Sequence, residues 1–100
     1  MVKHVIIWNL KEGFSADEKK TILEGIKEGI ESLNGKIPGL INISVSINPL
    51  PTSNAELILD SSFESVEALQ GYAVHPDHVE VANTKVRPYV GTRACMDYEI

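Results

Sequence analysis

The chain has 100 residues, 43% of them hydrophobic and 23% charged, with a net charge of −5. That length fits one domain, residues 1–100, and buries only about two-thirds of the surface its unfolded chain exposes. Nine scattered basic residues against fourteen acidic ones give no cluster for phosphate, which argues against nucleic acid as a partner. A single cysteine, Cys95, excludes an internal disulfide and reads as a buried structural thiol, which suits a reducing cytoplasm. The N-terminus carries no signal-peptide pattern, and no apolar run approaches membrane-spanning length.

Val2 to Leu10 is rich in β-branched residues and reads as a first strand. Val2, His4, Ile6 and Trp8 share one face, and Lys3, Val5, Ile7 and Asn9 the other. Both faces are substantially apolar, so each needs a cover. Ser15 and Glu18 form a capping-box pattern that opens a helix running to about Leu33. Ile22, Leu23, Ile26, Ile30 and Leu33 make its apolar stripe. Gly25 and Gly29 lie inside it at a cost of about 1 kcal/mol each against alanine, which a close backbone approach would explain.

Asn34-Gly35 ends that helix, and Pro38-Gly39 turns the chain. Ile41, Ile43, Val45 and Ile47 alternate with small polar residues and predict a second strand. Ala55 to Phe63 predicts a third. A helix opening near Ser62 to Glu64 carries Val66, Leu69 and Tyr72. His75-Pro76 breaks it, and Pro76 suits the first turn of a new helix, with Val79, Ala82 and Val86 as its stripe. Gly91 to Tyr98 is the last strand, on which Arg93 and Asp97 share a face and invite a surface ion pair. The order βαββαβ is α+β and ferredoxin-like.

Val2-Lys3-His4-Val5-Ile6, Phe63-Glu64-Ser65-Val66-Glu67, Tyr72-Ala73-Val74-His75-Pro76-Asp77-His78-Val79 and the ending Met96-Asp97-Tyr98 together resemble the stress-responsive A/B barrel (Dabb) family, over the whole chain and in the same order. The resemblance implies a protomer that pairs into a dimeric α/β barrel, which would cover both faces of the first strand. Family members include plant stress-associated proteins and a plant polyketide cyclase. The cyclase's catalytic Tyr and His match Tyr72 and His78, and its first-strand pocket His matches His4. A further pocket His of the cyclase falls where this chain has Leu57, so its substrate and reaction do not follow from the match.

Histidine gives and takes protons near neutral pH. A base of that kind beside a hydrogen-bond donor can enolise a carbonyl compound, which gives Tyr72 and His78 a chemical role. The plainer role is to seat the broken helix through hydrogen bonds. Trp8, Leu57 and His75 are further candidates for a ligand pocket, and His75 also suits a helix cap. His75 and His78 lack the third ligand a zinc site needs, so no metal and no cofactor is expected. Three readings stand open: a homodimer holding a small hydrophobic or aromatic molecule, a cyclase-like or cofactor-free monooxygenase-like enzyme, and a stress-related structural or interaction protein.

Overall fold

The computed structural model describes residues 1–100. Four strands, β1 (Val2–Leu10), β2 (Leu40–Ser46), β3 (Leu57–Phe63) and β4 (Val90–Glu99), form one antiparallel sheet in the order β2-β3-β1-β4. Helices α1 (Ala16–Glu31), α2 (Val66–Val74) and α3 (Pro76–Val81) join them, and α3 runs on into a π-helical turn over Ala82–Val86. The ferredoxin-like order expected from the sequence is the one observed.

Local chemistry sets the element ends. Ser15 Oγ accepts from the Glu18 amide while the Glu18 carboxylate accepts from the Ser15 amide. This capping box starts α1 one residue later and holds the Glu18 carboxyl below its ordinary pKa. Ser65 caps α2 with its hydroxyl alone, which accepts from the Ala68 amide, so that helix begins at Val66 rather than near Ser62. Gly39 has φ +80°, and a side chain there would collide with Ala68 on α2; glycine is the residue that meets both demands.

The helices pack on the sheet face that carries Val2, Ile6, Trp8, Ile43, Val45, Leu57, Leu59 and Phe63, all buried, and Ile26, Ile30 and Leu33 close the core from above. Gly29 lies against Lys85 and Val81, whose atoms would sit 3.4 Å from an added Cβ, whereas Gly25 meets nothing within 4 Å. Close approach therefore accounts for one of the two helix glycines. The stripe on the last helical segment is Ala82 and Val86, both buried, while Val79, on the short α3 that precedes the π turn, stays 38% exposed. Ile41 leaves the β2 stripe: the register shifts between Leu40 and Asn42, and the displaced side chain is exposed.

The edge of β2 is closed by side chains from the end of α1 and the turn after it. Asn34 receives the Ile43 amide and donates to the Ile43 carbonyl (2.9 and 2.8 Å). Glu31 receives the Val45 amide at 2.9 Å, and Lys27 donates to the Val45 carbonyl at 2.6 Å. Burial alone would raise the Glu31 pKa, but the Lys27 ammonium and the Val45 amide outweigh it and lower it. No helix packs closely against the opposite edge strand, β4. Its inward-facing Cys95 is consequently exposed, not the buried thiol its sequence context predicts.

The second face of the sheet has no cover within the chain. Ile7, Ile58, Met96 and Tyr98 stand on it at 40, 37, 66 and 40% exposure, beside the Lys3–Asp60 ion pair.

Candidate functional site

A half-open cavity of about 950 Å³ lies between β1 and β4 on one side and α2, α3 and the π turn on the other. Of the 21 residues that line it, 14 are hydrophobic. Val2, Ile6 and Trp8 form its floor, while Leu69, Ala73, Ala82 and Val86 descend from the broken helix. Arg93, Asp97 and Glu99 stand on the β4 side, and Arg87 follows the π turn. The break in the helix makes the space: His75 adopts an extended backbone, and its Nδ1 accepts from the Asp77 amide at 3.1 Å to start α3 at Pro76.

Three polar side chains predicted from the sequence line this cavity: His4, Tyr72 and His78. The Tyr72 and His78 rings lie 4.1 Å apart between centroids and are tilted by 38°. His4 lies 6.1 Å from Tyr72 and 6.3 Å from Phe63, edge-on to both. Tyr72 is 3% exposed, and burial pushes its pKa up, so the phenol stays a hydrogen-bond donor. No buried side-chain oxygen or nitrogen in the chain lacks a partner. The Tyr72 hydroxyl, which pairs with no protein group, is therefore accessible from the cavity.

His78 Nδ1 donates to the Ala73 carbonyl at 3.2 Å. That bond fixes the tautomer and leaves Nε2 as the basic nitrogen. Burial lowers the His78 pKa, with smaller contributions of the same sign from Arg87, His4 and His75, against a raising effect of the Ala73 bond.

His4 Nδ1 donates to Asp97 Oδ1 at 2.5 Å. Ser61 Oγ bonds the His4 carbonyl at 2.7 Å. Asp97 is thus engaged with His4 rather than in the surface pair with Arg93 that the strand pattern suggested. The reason is register: His4 and Asp97 are direct cross-strand partners, as are Ile6 and Cys95. Cys95 Sγ stands 3.8 Å from His4 Nδ1 and 3.6 Å from Asp97 Oδ1. Partial burial and the Asp97 carboxylate raise the thiol pKa.

Trp8 lines the cavity as expected, at 5% exposure. Leu57 does not: it pairs with Trp8 in the sheet and is packed into the core, out of the cavity lining. His75 also lies outside the lining, because capping α3 turns its ring toward its own helix start. Asp97 is the residue that sequence reading missed as a site group; ninety-three positions separate it from His4, and only the β1–β4 register joins them.

A ferredoxin-like protomer with an apolar cavity under a broken helix defines the class. The chain belongs to the stress responsive A/B barrel domain (Dabb) family, which it matches over residues 2–100. It is 32% identical over 81 residues to stress-response A/B barrel domain-containing protein HS1 of Arabidopsis thaliana, covering 81% of this chain and 73% of that protein. A dimeric protein of unknown function and ferredoxin-like fold from Bacteroides fragilis superposes with a TM-score of 0.90 at 32% identity, over 99% of this chain and 95% of that one. Hydroxynitrile lyase from Passiflora edulis shares the fold at a TM-score of 0.79 and 17% identity, over 99% and 92% of the two chains. No helix is long and apolar enough to cross a membrane.

Proposed function

We propose that the chain works as a homodimer in which each protomer holds a small hydrophobic or aromatic molecule in the cavity under the broken helix. The observation that carries the reading is the cavity itself. It is predominantly apolar, and among its polar side chains Tyr72 lies beside both His78 and His4, while charged residues such as Arg93, Asp97 and Glu99 stand on the β4 side. Binding sites for small molecules have this composition. Ligand contacts would be aromatic and aliphatic, with the Tyr72 hydroxyl and His78 Nε2 orienting one oxygen.

The uncovered sheet face supports the dimer. Its apolar residues are contiguous across β1, β3 and β4, and its one charged pair is already matched, so burial strands no lone charge. The dimeric Bacteroides fragilis relative points the same way. A free, exposed thiol suits a reducing compartment such as the cytoplasm.

One observation favours catalysis as a second reading: a histidine whose burial favours the neutral form, with its basic nitrogen fixed by Ala73, lies against a protonated phenol. Such a pair can act on a carbonyl compound. His78 Nε2 takes a carbon-bound proton, and the Tyr72 hydroxyl donates a hydrogen bond to the enolate oxygen that forms.

Trp8 is the only tryptophan and lines the cavity, so it reports occupancy. Small aromatic acids and phenols should quench its fluorescence saturably. Ala73→Phe, which fills the lining from an exposed helix position, should abolish the quenching. Linear, unsaturable quenching, equal in Ala73→Phe, would contradict ligand binding. Turnover of an enolisable ligand that survives His78→Ala would remove the catalytic reading alone.

A further inference from the structure

We propose that His4, Cys95 and Asp97 form a binding site for a first-row divalent transition metal, zinc in the first place. The three donor atoms lie within 4.8 Å of one another. They come from adjacent strands in fixed register, His4 opposite Asp97 and Ile6 opposite Cys95, so the backbone sets their spacing. The donor set is imidazole, thiolate and carboxylate, the mixture that selects zinc and its neighbours over magnesium or calcium.

The distances fit a tetrahedral ion. With zinc–ligand bonds of about 2.0 to 2.3 Å, neighbouring donors of a tetrahedron sit about 3.3 to 3.6 Å apart. Cys95 Sγ lies 3.8 Å from His4 Nδ1 and 3.6 Å from Asp97 Oδ1. Only the His4–Asp97 separation, 2.5 Å, is too short, because a proton joins those two atoms. The Asp97 side chain is 46% exposed and has room to swing outward as an ion takes the proton's place.

The chemistry balances. Zinc bonds to Sγ and the thiol proton leaves to solvent; His4 binds through Nδ1, and its ring proton moves to Nε2. The dication offsets the thiolate and carboxylate charges. Three protein ligands leave a fourth position for water or for an oxygen of a bound molecule. His4 and Asp97 both line the cavity, so the ion would stand in its wall.

Cobalt(II) titration of reduced, metal-free protein under nitrogen tests the assignment without any cavity ligand. One cobalt per chain should bind, giving a thiolate charge-transfer band in the near ultraviolet and tetrahedral bands in the visible, all removed by added zinc. Cys95→Ser should lose the charge-transfer band. Asp97→Asn should weaken binding by about tenfold or more. Both positions are exposed, so the fold should persist, which circular dichroism checks; His75→Ala should leave cobalt binding unchanged. A titration without the charge-transfer band overturns the proposal. So does affinity unchanged in Asp97→Asn, which would mean adventitious binding to the thiol, or binding lost in His75→Ala.

Discussion

His78 is the residue whose protonation the fold controls most directly. Burial lowers its pKa from the ordinary value of 6.5. The unfolded chain therefore takes up a proton near pH 6.5 while the folded chain does not. Stability should fall as pH drops from about 6.5 towards the folded-state pKa, and level off below it. His78→Gln should flatten that part of the profile in chemical denaturation measured between neutral and mildly acidic pH. An identical slope in the variant would mean that His78 titrates the same folded and unfolded. Tyr72→Phe should keep the ring packing against His78 and Phe63 and cost the fold little. It should weaken an oxygen-bearing ligand by about 1 kcal/mol, the ordinary size of one hydrogen bond, as read by Trp8 quenching. His4, Tyr72 and His78 were legible because they lie in the segments that carry the resemblance to the Dabb family. The His4–Asp97 bond was not legible, because it depends on how two strand ends meet, nor was the placement of Leu57 in the core and His75 at the α3 cap, both outside the cavity lining.

At the scale of elements, the most informative device is the closed edge of β2. Asn34 and Glu31 occupy backbone groups that a second chain would otherwise find free. Asn34→Leu should destabilise the protein by about 1 to 3 kcal/mol, since it leaves the Ile43 amide and carbonyl without those partners. It should also raise the tendency to aggregate, read by light scattering on mild heating. Unchanged stability and solubility would mean that water serves this edge as well as Asn34 does. Element ends were legible where side chains write them: Ser15 with Glu18 and Pro76 are short-range signals, and the structure uses each. The bulge at Ile41 and the π turn at Ala82–Val86 were not, because both answer to packing against neighbours rather than to local preference. Cys95 was misjudged for a related reason. Alternation tells which face of β4 a residue takes, but not that the helices stop short of that strand.

For the whole molecule, the two-sided apolar β1 was the most far-reaching feature of the sequence. One side is now accounted for by the helices, and the other remains bare within a single chain. Met96→Asp should leave the protomer folded, because Met96 is 66% exposed, yet convert a particle of about twice the 11.0 kDa chain mass into one of single mass in multi-angle light scattering. A parent protein that is itself a stable folded monomer at micromolar concentration would contradict the dimer. Dimer and occupied cavity are tested together by a crystal structure grown with the tightest-quenching aromatic ligand. Two copies should be joined through the faces bearing Ile7, Ile58 and Met96, with ligand density in each cavity against Tyr72, His78 and Trp8. Ligand bound elsewhere, or a cavity filled by its own side chains, would contradict that reading.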